Sequence, residues 1–211
     1  MCYMWEHETK VKDVYPKNVT KYDYRDDYEI VHKVWKLLDE AEVVIAHNGD
    51  KFDLRKLNAR FVQHNMGAPS PYLTIDTLKI ARSNFYFNAN NLDALADHLG
   101  LGNKIKHEGF SMWLGCMSGD RKSWAKMKKY NRQDVVLLRN VYLRLRPFMQ
   151  NHPNMLTEDC QDIACPVCGS EKFQKRGVRR TKAGIEYQQY QCSNGHYFRS
   201  RKRTATSGLV V

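Results

Sequence analysis

The chain has 211 residues, 42% hydrophobic and 27% charged, which is enough for one sizeable core plus an appended module and is ordinary for a soluble protein. Its 34 Lys and Arg against 23 Asp and Glu give a formal net charge of +11, a balance that favours a polyanion as partner because basic side chains displace counterions from phosphates. There is no apolar run of about 18 residues and no leader of charged, apolar and small-residue regions, so neither a membrane span nor a secretion signal is expected and a cytoplasmic location is.

Residues 1–16 hold two short apolar stretches around Glu6-His7-Glu8-Thr9-Lys10 and read as a hairpin. Asp26-Asp27-Tyr28-Glu29 then caps a helix in which Val31, Val34, Trp35 and Leu38 fall at i, i+3, i+4 and i+7. The β-branched run Val43 to Ala46 is too short for a helix and reads as a buried parallel strand, with turn chemistry from Asn48-Gly49 at its carboxyl end. Ligands of open α/β sheets gather at such ends. Leu54, Leu57, Phe61 and Val62 continue as an amphipathic helix until Gly67, and Pro69 and Pro71 lead into a second strand, Leu73 to Thr77.

A short helix around Leu78 to Ser83 and another carrying Leu92, Leu95, Ala96 and Leu99, closed by Gly100 and Gly102, lead into a loop from Lys104 to Gly109. From Asp120 the pattern is helical again. Trp124, Met127, Tyr130, Val135, Leu138, Val141, Tyr142 and Leu145 keep the period until Pro147 stops it. The domain boundary is placed in a polar linker, 150–163, after a domain at 1–149 and before a small module at 164–203 with a mobile tail at 204–211. The 24 basic and 18 acidic residues of 1–150 leave +6, and the 10 basic and 5 acidic of 151–211 leave +5, so the short module is the more basic per residue. Four of the six cysteines crowd into 160–192, a distribution that reads as metal binding in a reducing compartment.

Two clusters carry chemistry. In the first, Asp53 begins a helix just past a strand end, while Asp134 lies on a late helix with Tyr130 one turn before it, so phenol and carboxylate share a face. Phosphodiester hydrolysis needs an activated water and a way to hold charge on the leaving oxygen, and two carboxylate-held ions roughly 3.5–4 Å apart supply both. Hard oxygen ligands suit magnesium or manganese. Taken singly, these residues are more often a tight turn, a helix-start carboxylate, a half-buried aromatic and a solvated acid. Together and in order, they point to nuclease chemistry. Asp50 and Asp76 are read as loop and strand-end polar groups, and His47 as a turn residue near substrate.

Asn48-x-x-x-Phe52-Asp53 and Tyr130-x-x-x-Asp134 resemble the second and third exonuclease motifs of the DnaQ-like DEDD nucleases, in the tyrosine-bearing DEDDy form, whose fold is ribonuclease H-like. Ile75-Asp76-Thr77-Leu78 and the Leu92-Asp93 helix are also similar to that superfamily, particularly to exonucleases of phage and bacterial origin of the YprB type, and the resemblance spans about 1–148. It implies an α/β fold, a mixed sheet flanked by helices, in a bacterial or phage-infected cell. It makes Asp53 and Asp134 metal-site carboxylates, Tyr130 the water-orienting group, and Asn48 and Phe52 contacts that shape the cleft. The family's first motif, Asp-x-Glu on the first and central strand, has no counterpart. Glu6-x-Glu8 imitates it but sits on a turn too close to Asn48. The expectation is a split or mis-started gene whose separate polypeptide supplies that strand.

In the second cluster, Cys165-Pro166-Val167-Cys168-Gly169 forms a compact thiolate knuckle and Cys192-Ser193-Asn194-Gly195-His196 a second half-site. Cys165, Cys168, Cys192 and His196 would give zinc its four tetrahedral ligands, with Cys160 in reserve, in a stretch that resembles a zinc ribbon. So small a module has little apolar core and depends on the metal. Lys172, Lys175, Arg176, Arg179, Arg180 and Lys182, with Tyr187, Tyr190, Tyr197 and Phe198 nearby, suit a phosphate-tracking, base-stacking surface. The function expected is 3′–5′ exonucleolytic hydrolysis of nucleic acid, DNA before RNA, on a single strand or 3′ end, with replication machinery as a candidate partner. The alternative is a non-catalytic nucleic-acid-binding protein on a nuclease scaffold. A transposase-like reading requires a late catalytic glutamate that the sequence lacks.

Overall fold

A computed structural model of the chain describes residues 1–16, 26–105, 109–149, 152–154, 163–180 and 185–199. Cys160, Lys182, the tail 204–211 and most of the linker expected at 150–163 lie outside them. The chain divides into two compact units, Met1–Leu145 and Arg146–Val211.

The first unit opens with an antiparallel hairpin of β1 (Cys2–Tyr3) and β2 (Lys12–Asp13). Helix α1 (Tyr28–Glu40) follows the expected period and buries Val31, Val34 and Leu38. These side chains meet Val14 and Phe61, the latter from α2 (Asp53–Gln63), in one apolar cluster. The cap of α1 differs from expectation, because Asp27 makes no side-chain cap bond and Asp26 Oδ1 accepts from the Tyr28 N–H at 3.1 Å instead. Asp27 is taken up elsewhere: its carboxylate accepts two bonds from the Arg60 guanidinium, one of them from Nε at 2.7 Å, and lies 2.7 Å from His64 Nε2. This ties the start of α1 to the end of α2.

Strands β3 (Val43–Ala46) and β4 (Leu73–Asp76) pair in parallel, Val43 with Leu73 through Ala46 with Asp76. Among the described residues the expected single mixed sheet does not form: β1–β2 and β3–β4 are separate two-stranded sheets. With no strand bridging the two pairs among the described residues, β3 carries a ladder on one edge only, and its four residues are half-buried where a central strand would be fully covered. Val62, expected on the apolar face of α2, is exposed because the helix turns it away from the cluster around Phe61.

Helices α3 (Thr77–Asn84) and α4 (Leu92–His98) pack on the long α6 (Arg121–Leu145), burying Ala81, Leu92, Leu95, Ala96, Leu137, Val141 and Leu145 together. Each fully buried leucine among them contributes about 1.5–3 kcal/mol relative to exposure. Between α4 and α6 lies α5 (Phe110–Met117), which the periodicity did not disclose because Phe110, Trp113, Leu114 and Met117 make its outer face as apolar as its inner one. Its inner face, Met112 and Cys116, meets Met127. At Gly115 the helices approach so closely that a Cβ would lie 2.1 Å from Ser123 Oγ, so only glycine fits there. Helix α6 also holds the hairpin, through two hydrogen bonds from the Arg132 guanidinium to the Asp13 carboxylate.

The second unit is a three-stranded antiparallel sheet, β5 (Phe173–Arg180), β6 (Glu186–Cys192) and β7 (Tyr197–Arg199), with a bulge between Lys175 and Val178. Its small core is Cys165, Tyr190, Cys192 and Phe198, against which Phe173 packs edge-on to Tyr190 and Phe198.

The Asp27 tie gives the first unit a pH dependence. Burial pushes the Asp27 carboxyl up, but the bonds from Arg60 and His64 outweigh it and hold the group below its usual 3.8. A carboxyl depressed in the folded state stabilises fully above its unfolded value and loses that contribution as pH falls through the folded value. Replacing Asp27 with Asn should therefore cost about 1 kcal/mol at pH 7, discounted because both partners touch water, and progressively less as pH falls below 3.8. Urea unfolding of parent and variant across a descending pH series measures this convergence.

Candidate functional site

The two strand ends build one corner of the first unit. Asn48 has φ 63°, a left-handed conformation that asparagine tolerates, and Gly49 follows where an added Cβ would lie 2.4 Å from the Ala46 Cβ. This turn aims the Asn48 N–H at Asp76 Oδ1, 2.8 Å away, and the same oxygen accepts from Leu78 N at 3.0 Å to cap α3. Asp76 is buried, and its second oxygen, Oδ2, has no hydrogen-bond partner among the described residues. Thr77 Oγ1 donates to the Ala46 carbonyl at 3.1 Å and lies 2.9 Å from His47 Nδ1, which fixes the His47 ring. Burial pushes the His47 pKa down; the Asp76 charge works against that and the Lys104 charge adds to it.

Asp53 starts α2 beyond this turn. Burial raises its carboxyl pKa, and the nearby Asp76 charge raises it further. Phe52, the residue before, is exposed and carries the Lys56 ammonium 4.1 Å from its ring centroid.

Tyr130 and Asp134 stand one turn apart on α6, as their spacing implied, and a third residue joins them. Lys104 Nζ lies 3.1 Å from Asp134 Oδ2, 3.3 Å from the Tyr130 hydroxyl and 5.5 Å from the Tyr130 ring centroid. Burial works against the Lys104 charge, but the Asp134 carboxylate and Tyr130 outweigh it and hold the ammonium above its ordinary range. The other Asp134 oxygen, Oδ1, is buried and without a hydrogen-bond partner among the described residues. The Asp76 charge acts on both Asp53 and His47, while Lys104 pairs with Asp134. Among the described residues no three acidic side chains come together as a ligand set.

Sequence reasoning gave Asp76 only a strand-end polar role and did not single out Lys104. Asp76 was legible in principle, since a carboxylate directly after an apolar strand and before a helix sits at the same sheet end as Asn48. Lys104 gave no signal, because it reaches Asp134 only through the packing of its loop against α6.

In the second unit, Cys165, Cys168, Cys192 and His196 offer ligand atoms that all lie within 4.8 Å of one another. His196 Nδ1 is 3.7, 3.2 and 3.4 Å from the sulfurs of Cys165, Cys168 and Cys192, and the Cys168 and Cys192 sulfurs are 3.8 Å apart. That separation excludes a disulfide and describes the edges of a small tetrahedron. Burial, then the charges of Arg146 and His152, push the His196 pKa down to about 4, so its ring is neutral and ready to ligate at pH 7. Burial pushes the Cys165 thiol up to about 12. At Cys168 burial is outweighed by hydrogen bonds from the Ser170 backbone, Asn194 and the two neighbouring cysteines, which leave the thiol below its usual value. The cluster could hold a metal ion, whose charge would be needed to deprotonate Cys165.

The basic strand β5 exposes Lys175, Arg176, Arg179 and Arg180. Arg176 donates to Gln191 Oε1 from Nε at 2.8 Å and Arg179 to Gln189 Oε1 at 3.0 Å, whereas Arg180 pairs with Glu186 at 2.5 Å. Of the four aromatics expected on this surface, Tyr190 and Phe198 are buried in the small core, since a module of this size has few other apolar side chains. Tyr197 is exposed, and Tyr187 lies under Arg199, whose guanidinium carbon is 5.1 Å from the ring centroid.

A family model described as RNase H superfamily matches residues 3–146. No curated protein and no solved structure matches the chain.

The Cys/His tetrahedron makes a direct prediction. Purified chain should carry one firmly bound metal ion per molecule, and Cys192→Ser should lose it together with the ordered packing of Tyr190 and Phe198. Elemental analysis beside near-ultraviolet dichroism reports both; a metal-free chain with intact aromatic dichroism would refute it.

Proposed function

Because the chain belongs to the RNase H superfamily, we propose that it is a metal-dependent nuclease of the DnaQ-like DEDDy type, hydrolysing nucleic acid from a 3′ end, with DNA preferred as substrate. The observation that carries this reading is the Tyr130–Asp134 pair on α6, whose two polar heads converge on one cation, Lys104.

The residues present fit part of a magnesium or manganese site. Asp134 offers a buried, partnerless oxygen, and the rim already selects a positive charge. Asp53 and Asp134 would hold the ions, which would supply an activated water and hold charge on the leaving oxygen. Tyr130 orients the attacking water through its hydroxyl. Asn48 and Phe52 border the cleft, the latter offering an exposed ring on which a terminal base can stack. A complete ligand set requires further carboxylate beyond those described, of the kind an Asp-x-Glu strand carries. The open edge of β3 is where such a strand can pair.

In the second unit the ion is zinc. Bonds of about 2.3 Å to sulfur and 2.0–2.1 Å to nitrogen give tetrahedral edges of about 3.8 and 3.6 Å, close to the 3.8 Å between sulfurs and the 3.2–3.7 Å from sulfur to His196 Nδ1. The basic sheet beside it binds the nucleic-acid backbone. Arg176 and Arg179 are held by neutral glutamines, so they are oriented without losing their charge.

A second reading is favoured by the absence of three converging carboxylates among the described residues: a nucleic-acid-binding protein in which the nuclease fold is scaffold. A 5′-labelled single strand with manganese separates the two. Under the first, the chain shortens the strand from its 3′ end and Asp134→Ala lowers the rate by a factor on the order of 100; equal rates would remove Asp134 from the site. No shortening by the parent, even with a strand ending in Asp-x-Glu supplied, favours the second. Binding by the basic sheet should weaken steeply with salt. Converting Gln189 and Gln191 to Glu should reduce the slope of log affinity against log salt by about 0.7 for each arginine neutralised, and an unchanged slope would exclude Arg176 and Arg179 from contact.

A further inference from the structure

Lys104, beyond the end of α4, delivers a positive charge to Asp134, and its attachment is specific. The Lys104 N–H donates to Asp93 Oδ1 at 2.8 Å, so the side chain starts from a point fixed on the first turn of α4. From there the ammonium reaches Asp134 Oδ2 at 3.1 Å and the Tyr130 hydroxyl at 3.3 Å. The carboxylate is therefore asymmetric: Oδ2 is paired with a univalent cation, and Oδ1 is buried with no hydrogen-bond partner among the described residues.

We propose that Lys104 is a resident counter-cation of this rim, a positioning residue that holds Asp134 and Tyr130 together and that a divalent ion must displace to bind Asp134. The proposal rests on the reading of Asp134 as a metal-site carboxylate. Without a divalent ion Lys104 pairs with Asp134 Oδ2 and holds the Tyr130 hydroxyl in place. An ammonium and a dication sharing one carboxylate repel each other, and the repulsion grows as water is excluded. The lysine can yield, since its side chain is 27% exposed and its four-carbon stem can carry the head into solvent while the Asp93 anchor stays fixed. The site thus binds divalent ions more weakly than the Asp134 carboxylate alone would. It gains full occupancy when additional ligands, such as a substrate phosphate, join the ion.

Manganese binding to the full, zinc-saturated chain, followed by the paramagnetic resonance of free manganese, tests this without recourse to activity. Lys104→Met and Lys104→Gln should each bind manganese roughly tenfold more tightly than the parent, and Lys104→Arg should match the parent. Asp134→Ala should lose the site in every background. If both neutral variants bind like the parent or more weakly while Asp134→Ala abolishes binding, Lys104 is not a competitor and the metal-site reading stands. If no variant shows binding that depends on Asp134, the metal-site reading falls and takes this proposal with it. Gln at 104 retains a hydrogen-bonding head for Tyr130, so a folding defect confined to the Met variant leaves the comparison intact.

Discussion

One carboxylate joins the two halves of the acidic corner. Asp76 ends β4 opposite Ala46 of β3 and accepts with a single oxygen the N–H of Asn48, beyond β3, and the N–H of Leu78, at the start of α3. Two chain segments 28 and more residues apart are closed onto one buried charge. Everything else at that corner takes its position from this closure. The left-handed Asn48 and the tight Gly49 set where α2 begins and hence where Asp53 stands, and Thr77 holds the His47 ring against the Ala46 carbonyl. On the far side, α6 brings Tyr130 and Asp134 to Lys104 because Leu137, Val141 and Leu145 lock the same helix onto α3 and α4.

The two units draw on different sources of stability. The first buries its apolar side chains in separate clusters around α1–α2, α3–α4–α6 and α5–α6, because its strands form two pairs rather than one sheet that would unite them. The second has four buried apolar residues in its core, two of them cysteines, and cannot match that burial. Coordination energy replaces hydrophobic area in such modules. The same unit carries its charge on guanidinium groups that are braced by glutamine, an arrangement suited to a polyanion. Membership of the RNase H superfamily, carried by residues 3–146, implies nucleic acid as the substrate of the first unit.

Much of this was legible in the residues. The helical period gave α1, α2, α4 and α6, the short β-branched runs gave β3 and β4, and the Cys/His spacing named the four side chains that gather in the second unit. What escaped had physical reasons. Helix α5 is apolar on both faces and so has no period to detect. Asp27 looked like a cap, but Arg60 offers it two charge-assisted bonds that a single backbone N–H cannot match. The expected mixed sheet needs a strand joining the two pairs, and none does so among the described residues. Asp76 read as an ordinary strand-end acid because its two backbone donors come from turns whose meeting is decided by strand register. The Tyr130–Asp134 pair was visible as a one-turn spacing; Lys104 was not, since its contact spans 30 residues of chain.

Diffraction from manganese-soaked crystals, at a wavelength where manganese scatters anomalously, addresses the acidic rim most directly. A peak against Asp134 on the side facing Asp53, with the Lys104 ammonium moved away, is the expected result. No peak at the rim, or carboxylates of Asp53 and Asp134 facing different surfaces of the unit, would contradict the assignment of this corner as a cation-binding nuclease site.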